Sequence, residues 1–306
     1  MTRLLVLLAA VALVGCGASA GALGTVAPAA SAGPASLDIP SDEPTPGFTA
    51  APGASPAASA DLTTTVRAYF FLGSFTADSG LVPVLRQVPK TSAVGGAAMR
   101  ELLQGPNEAE LAARPAMYTA VPDGTSFLGL TIDGGIATVD LSKEFESGGG
   151  SASVLGRLAQ VVYTLTQFPT ITRVRFELDG QPVTAFSGEG VVLDHPVERA
   201  DYTDFLPAIW VERPAWGGVL GNPGRVTGLA NVFEAQFEIE LLDAAGHSLL
   251  DVPVIATCGT GCWGTFDVTL RYAVATAQWG TLRVYDRSAR DGSREHVVEY
   301  PVWLTP

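Results

Sequence analysis

The first part of this chain takes its fold from the stretch DGGIATVDLSKEF, Asp133–Phe145. Its first three residues are typical of a tight turn, because Asp-Gly and Gly-Gly pairs favour the backbone of short hairpins. An apolar run follows the turn, Ile136–Leu141, and another precedes it, Ser126–Ile132. The stretch therefore predicts a β-hairpin at the centre of the first domain.

Strands and helices are predicted on both sides of this hairpin. Apolar residues alternate in Val66–Leu72 and Leu81–Val88, which indicates two strands. Helical spacing follows at Val94, Ala98 and Leu102, and again in a longer segment from about Ser153 to Pro169. A last strand pair is expected within residues 172–185. The order strand, strand, helix, hairpin, helix, hairpin predicts an α+β domain with helices on a mixed or antiparallel sheet.

The C-terminal part has the pattern of strands alone. In Phe233–Leu241 every second residue is apolar and most of the intervening ones are acidic, which predicts a strand with one buried and one solvated face. About seven such strands in roughly 100 residues favour an all-β sandwich. The other predicted strands are Ile209–Glu212, Arg225–Gly228, Leu249–Ala256, Phe266–Tyr272, Thr281–Asp286 and His296–Leu304.

The N-terminus has the features of a secretion signal. Arg3 is followed by the apolar run Leu4–Val14, which is too short to span a bilayer as a mature helix. The run ends in Leu13-Val14-Gly15-Cys16, which resembles the lipobox of bacterial lipoproteins. That resemblance implies cleavage before Cys16, lipidation of its thiol and an extracytoplasmic, membrane-anchored protein. The alternative is an ordinary cleaved signal peptide with a chance cysteine.

These features divide the chain into five parts. We expect a lipoprotein signal peptide at 1–15, a lipidated and disordered tether rich in Ala, Pro, Ser and Gly at 16–61, and the α+β domain at 62–187. A connector at 188–206 and the β-sandwich at 207–306 complete the chain. The tether is too poor in large apolar residues to offset the entropy of ordering it.

The charge balance limits the classes of partner. The chain has 18 basic and 31 acidic residues, a net charge of −13. A chain of this charge has no electrostatic reason to bind nucleic acid or an anionic lipid face.

Three phrases of the first domain resemble the GerMN domain, the sporulation and spore-germination domain of bacterial envelope proteins. They are Ala97–Pro106, Ala120–Thr125 and Asp133–Phe145, in the order of the family. Members of the family are similar in fold to ring-building domains of envelope assemblies, so a homo-oligomer is left open. The family also occurs in bacteria that form no spores, and the resemblance implies no catalytic residues.

The C-terminal part resembles the immunoglobulin-like domain of bacterial spore-germination proteins, which commonly follows a GerMN domain. The resemblance implies an extracytoplasmic interaction module without family-wide catalytic residues. It is carried by Asn222-Pro223, Val226-Thr227-Gly228, Asn231–Ala235, Gly264-Thr265-Phe266 and Tyr285–Ser293.

Two further cysteines, Cys258 and Cys262, enclose Gly-Thr-Gly. In an oxidising compartment this spacing is expected to close a small disulfide between two strands. Free thiols are the alternative. A zinc site would need further ligands, and in sequence His247 alone lies near.

For the remaining candidate residues, structural or surface roles are the expectation. His195, His247 and His296 are expected to have surface or structural roles. The acidic residues Asp140, Glu144 and Glu146 are expected to form a solvated surface, with weak calcium binding as the alternative. Core packing is expected for Trp216, Trp263 and Trp279, with a glycan-stacking face as the alternative.

These observations favour a membrane-anchored extracytoplasmic lipoprotein that acts as a non-catalytic binding or scaffold module of the cell envelope. Its expected partners are envelope proteins or a cell-wall polymer, with a role related to sporulation, germination or the wall, and no cofactor or metal is expected. One alternative is an enzyme acting on peptidoglycan, with Asp140 and Glu144 as acid and base. Another is a receptor for wall glycans or small ligands that uses the tryptophans.

Overall fold

The computed structural model describes residues 62–73, 80–186 and 190–306. The expected signal peptide, Cys16 and the expected tether lie outside the described residues. Within the described residues, no helix combines the length and the apolar content needed to cross a bilayer.

The first domain contains two sheets and the helices between them. Its strands are β1 (Thr63–Leu72), β2 (Gly80–Pro89), β3 (Met117–Tyr118), β4 (Phe127–Asp133), β5 (Ile136–Leu141), β6 (Arg173–Leu178), β7 (Gln181–Pro182), β8 (Ala185–Phe186) and β9 (Val191–Val192). Its helices are α1 (Val94–Gln104), α2 (Glu108–Leu111) and α3 (Ser151–Leu165), with a 3-10 helix at Lys143–Glu146.

The two sheets have the orders β2-β1-β3 and β4-β5-β6-β7, and β8 pairs with β9. Most neighbours are antiparallel, but β5 and β6 are parallel because the chain between them crosses over through α3. Helices α1 and α3 pack against each other and against β1. The expected α+β domain with helices on a mixed sheet is confirmed.

The second domain is a sandwich of two sheets. Its strands are β10 (Ile209–Arg213), β11 (Val219–Leu220), β12 (Gly224–Ala230), β13 (Gln236–Leu242), β14 (Ser248–Ile255), β15 (Gly264–Leu270), β16 (Gln278–Arg287) and β17 (Arg294–Leu304). One sheet has the order β10-β12-β15 and the other β11-β17-β16-β13-β14. Alternate residues Phe237, Ile239 and Leu241 are buried between the sheets, as the apolar periodicity predicts.

The strand expected from Phe233 starts three residues later. Phe233–Ala235 form a short 3-10 helix, in which Glu234 and Ala235 have positive φ. Phe233 is 56% exposed instead of facing the core. Gly259 explains the difference, because its backbone lies so close to this turn that a β-carbon there would be 2.4 Å from the nitrogen of Ala235.

The face of this strand that was expected to be solvated is partly covered. Glu240 is buried although it points outward. Arg283 donates from Nη1 to its Oε2 at 2.8 Å, and Nη1 of Arg294 lies 3.1 Å from the same oxygen. The acidic strand is therefore neutralised by arginines of β16 and β17.

The segment between the domains is folded onto both of them. Arg199–Phe205 form a 3-10 helix, and Leu193, Val197, Tyr202 and Leu206 are buried. All described residues belong to one compact unit, and a single cluster of buried apolar residues extends through both domains. The apolar residues that recur within the acid-rich connector therefore join the cores of the two domains.

Candidate functional site

A partly buried cluster around Arg199 joins the two domains. Arg199 comes from the connecting 3-10 helix and donates from Nη1 to Oε1 of Glu212 on β10 at 2.9 Å. Its Nε donates to Oγ1 of Thr166, just after α3, at 2.7 Å, and its Nη2 donates to the hydroxyl of Tyr69 on β1 at 3.2 Å. Tyr69 in turn donates to Glu212 at 3.1 Å. Four separate parts of the chain therefore meet at one guanidinium group.

Three aromatic rings surround the same guanidinium. The Cζ atom of Arg199 lies 4.7 Å from the ring centre of Tyr163, 5.6 Å from that of Tyr69 and 5.8 Å from that of Trp210. Contacts of a cation with aromatic faces are favourable, more so where water is excluded. Trp210 also donates from Nε1 to the backbone oxygen of Leu81 on β2 at 2.8 Å. Both domains therefore contribute to the cage.

The pKa shifts in the cage favour a fixed ion pair over proton transfer. Burial raises the pKa of Tyr69 to about 12, although Arg199 opposes the shift. Burial alone would raise the pKa of Glu212, but the charge and hydrogen bonds of Arg199 outweigh it and lower the pKa. At neutral pH the cluster therefore holds a carboxylate, a cation and neutral tyrosines.

An open groove of about 440 Å³ lies beside the cage. It runs over the outer face of the β10-β12-β15 sheet, and its lining includes Arg199, Glu212, Arg225, Thr227, Leu229 and Asp267. Arg225 donates from Nε to Oδ1 of Asp267 at 2.7 Å, so the charges at both ends of the groove are paired. Arg213 also lines the groove, so its three arginines, one glutamate and one aspartate carry a net charge of +1.

The carboxylates considered for acid and base catalysis have structural contacts. Oδ1 of Asp140 accepts from the backbone N–H of Gly180 at 3.0 Å. A hydrogen bond with Ser142 lowers the pKa of Glu144, which is exposed. A general acid at neutral pH needs the opposite shift. In the part of the chain that the structure describes, no group of three His, Cys, Asp or Glu side chains is arranged to hold a metal ion.

Each of the three histidines lies beside an aspartate. The Nδ1 atom of His195 is paired with the exposed Asp194, and that of His247 is 3.3 Å from Oδ2 of Asp243. The Nδ1 atom of His296 is 2.7 Å from Oδ1 of the buried Asp286. The three pairs occupy separate loops and strand ends, so they do not converge on a common centre.

Cys258 and Cys262 are joined as a disulfide, with their Cα atoms 5.9 Å apart. The small loop that they close is bonded to the segment before β13. The N–H of Thr260 donates to the oxygen of Val232, and the N–H of Gly261 donates to Oδ1 of Asn231, both at 2.9 Å. The bridge thus belongs to the structural support of one end of the sandwich.

The three tryptophans selected from sequence lie on different elements. Trp216 is in the loop before β11, where its backbone N–H donates to the backbone oxygen of Pro83 in the first domain at 2.9 Å. Trp263 precedes β15 and packs against the core. Trp279 on β16 is 39% exposed, and its ring centre is 5.3 Å from that of Trp303 on β17. Sequence reasoning missed Trp303, although it lies between the buried Val302 and Leu304 and so faces outward.

A second residue that sequence reasoning missed is Arg157 on α3. It is fully buried and donates to three backbone oxygens of the loop before the helix. The acceptors are Phe145 at 2.6 Å, Ser147 at 3.0 Å and Gly148 at 2.7 Å. This arginine therefore holds the glycine-rich entry to α3.

The fold defines a two-domain protein in which a helix-covered α+β domain is fixed to an immunoglobulin-like sandwich. Residues 67–184 match the family model for sporulation and spore germination, and residues 208–293 match that for the immunoglobulin-like domain of bacterial spore germination. The chain is a GerMN-domain protein with a C-terminal immunoglobulin-like domain of the germination type. Neither matched domain is of a known enzyme family.

Among curated proteins, the chain is similar to lipoprotein LpqB of Cutibacterium acnes (strain DSM 16379 / KPA171202), with 32% identity over 158 residues. The match covers 50% of this chain and about a quarter, 25%, of the relative. Among solved structures it is similar to the first GerMN domain of the sporulation protein GerM from Bacillus subtilis, at 19% identity and a TM-score of 0.37, covering 45% of this chain and 100% of that one. The tandem GerMN domains of the same protein match at 14% identity and a TM-score of 0.38, covering 79% and 61%.

Proposed function

We propose that this protein is a lipid-anchored, extracytoplasmic lipoprotein that acts as a non-catalytic scaffold of the cell envelope. Its partners are envelope proteins or a cell-wall polymer. The two germination-type domains and the similarity to a lipoprotein support this proposal. The contacts of Asp140 and Glu144 described above favour binding over hydrolysis.

The observation that carries the scaffold role is the cage around Arg199. Because it links β1, α3, the connector and β10, the surfaces of the two domains keep a fixed mutual geometry. A rigid tandem of this kind presents separate binding surfaces at a set spacing. Such an arrangement suits a protein that positions other components.

The proposed organisation is a signal peptide at 1–15 and a tether at 16–61, followed by the α+β domain at 62–187. The connector at 188–206 and the β-sandwich at 207–306 complete it. Cys16 would carry the lipid. Two acyl chains bind a bilayer far more firmly than one, so a lipid of that kind would make a stable anchor. A flexible segment of about 45 residues has a root-mean-square reach of about 35–40 Å. The folded unit would then work beyond the headgroups, within the wall or periplasmic zone.

Membrane fractionation with palmitate labelling tests the anchor. We expect the wild-type chain to be labelled and to sediment with membranes, and the Cys16→Ala variant to be unlabelled and released. A variant carrying Cys258→Ala and Cys262→Ala is the matched control and should retain the label. An unlabelled wild-type chain with the same distribution as Cys16→Ala would contradict the proposal.

Zymography on purified cell wall tests the absence of catalysis. We expect no clearing by the detergent-solubilised wild-type chain. Clearing that is lost in an Asp140→Asn variant would replace the scaffold function by wall hydrolysis.

A further inference from the structure

Three apolar side chains form a row across the outer face of the five-stranded sheet. Trp303 on β17 lies directly opposite Val219 on β11 and Trp279 on β16. Directly opposed residues of neighbouring strands have their side chains on the same face. The row therefore extends over three strands at the end of the sheet nearest β11.

Val219 and Trp279 in this row are exposed and Trp303 between them is half-buried, in contrast to buried neighbours along the strands. Val219 is 61% exposed, while Leu220, Val302 and Leu304 face the core and are buried. Pro301 and Thr281 form the next row on the outer face, so the five residues make a continuous uncharged platform. Large exposed apolar patches on soluble domains commonly mark binding sites.

The rings of Trp279 and Trp303 stand at a steep angle to each other on the platform. Their planes meet at 73°, so they form a corner instead of a flat stack. A ligand ring that lies on one indole face can touch the other indole with its edge. Saturated rings whose faces present C–H groups fit such a corner, because the indole face carries partial negative charge.

Charged side chains border the platform, but they are paired with each other. Arg283, one row beyond Thr281, donates from Nε to Oε1 of Glu299 at 2.7 Å and from Nη1 to Oε2 of Glu240 at 2.8 Å. Nη1 of Arg294 also lies 3.1 Å from Oε2 of Glu240, so two arginines balance two glutamates and the border offers hydrogen-bonding groups without a net charge. An ionic ligand would find no complementary charge there, whereas a neutral ligand rich in hydroxyl groups would find donors and acceptors.

We propose that the Trp279–Trp303 platform binds a neutral, linear glycan, with one sugar ring stacked in the tryptophan corner and its neighbours extending over the paired border. This inference deepens the proposed function and rests on it, since it assigns the wall-polymer contact to one face of the second domain. A second copy of the chain is the competing occupant.

Titration of the full-length Cys16→Ala chain with the β-1,4-linked hexamers of N-acetylglucosamine and of glucose tests the proposal. Nuclear magnetic resonance of the indole N–H groups reports each tryptophan separately. We expect at least one hexamer to shift the signals of Trp279 and Trp303 below about 1 mM, in the weak affinity range, and to leave those of Trp210 unchanged. No shift of the pair with either hexamer would overturn the proposal.

Three variants supply the matched comparison. Trp279→Ala should weaken hexamer binding at least tenfold, and Val219→Glu, a single exposed substitution, should weaken it similarly. Phe233→Ala should leave binding unchanged, because that exposed ring lies beyond the opposite end of β13, and the length of β13 alone is roughly 20 Å at about 3.3 Å per residue. Equal binding by all of these variants would overturn the proposal.

The competing occupant has its own signature. Indole shifts of the pair that depend on protein concentration without glycan, together with a dimer in sedimentation, would assign the platform to self-association and overturn the glycan proposal. The anchor experiment with palmitate is independent of these readouts. Failure of glycan binding therefore leaves the anchored scaffold intact, whereas loss of the anchor leaves the titration interpretable.

Discussion

The Nη1 atom of Arg199 lies 2.9 Å from Oε1 of Glu212, and this contact joins the connector to the first strand of the second domain. Both side chains are about a quarter exposed, at 26% and 27%. The pair is thus more shielded than a surface salt bridge, and three aromatic rings shield the cation further.

Removal of one partner should be costly because it leaves the other charge poorly solvated. We expect Glu212→Ala to lower the free energy of unfolding by about 2–3 kcal/mol, below the range for fully buried pairs. The double variant Arg199→Met, Glu212→Leu should lose less than the sum of the single changes. A urea-unfolding double-mutant cycle measures the coupling.

The exposed pair Arg225–Asp267 is the control for this cycle. Its side chains are 69% and 53% exposed, so solvent screens the interaction and we expect no measurable coupling. A coupling for Arg199 and Glu212 that is equally small would show that the cage does not stabilise the junction.

The Arg199–Glu212 pair also predicts a loss of stability in acid. The folded state lowers the pKa of Glu212 below its unfolded value of about 4.3. Its contribution is therefore complete above that value and is lost as the pH falls through the folded pKa. We expect the stability difference between wild type and Glu212→Gln to shrink between about pH 6 and about pH 3. A difference independent of pH would rule out the ionised pair.

The close approach of β2 to the connector gives a third prediction. A β-carbon on Gly80 would lie 2.5 Å from the backbone oxygen of Phe205 and 2.9 Å from the nitrogen of Pro207. Backbone cannot move aside as a flexible side chain does, so we expect Gly80→Ala to cost about 2–3 kcal/mol. Thermal unfolding measures the loss.

Gly246 provides the comparison, since it has a φ of +81° and a β-carbon there would have no atom of the described residues within 4 Å. Gly246→Ala should cost only the backbone strain, about 1 kcal/mol. Equal losses for the two variants would indicate that the junction can relax around an added methyl group.

The disulfide gives a fourth prediction. A loop of about five residues loses little entropy on closure, so the bridge should contribute about 2 kcal/mol. Variants with Cys258→Ser and Cys262→Ser, or the reduced protein, should unfold at a lower urea concentration. Alkylation followed by mass spectrometry reports the redox state. Two free thiols in protein isolated from the envelope would contradict the bridge.

Much of the fold was predictable because local patterns match it. The i, i+3, i+4 stripe of α3, the Asp133-Gly134-Gly135 turn and the alternation of β13 are all visible in sequence. The parallel pairing of β5 with β6 was not, since it depends on the path of the chain through α3. The positive φ values of Glu234 and Ala235 also depend on a distant contact, with Gly259.

The candidate sites were less predictable for the same reason. The partners Tyr69, Tyr163, Arg199 and Glu212 are separated by up to 143 positions, and no short-range spacing connects them. The Trp279–Trp303 contact depends on the register of β16 with β17. Sequence identified Trp279 as a candidate but offered no reason to pair it with Trp303.

Strand β1 follows directly after the segment that would bear the anchor, and it is the central strand of its sheet. Its pairing with β2 runs without interruption from Thr63↔Pro89 to Leu72↔Gly80. A pull from a membrane-held N-terminus would act along β1, parallel to the strand. The hydrogen bonds of the β1–β2 ladder would then share the load in shear instead of opening one after another.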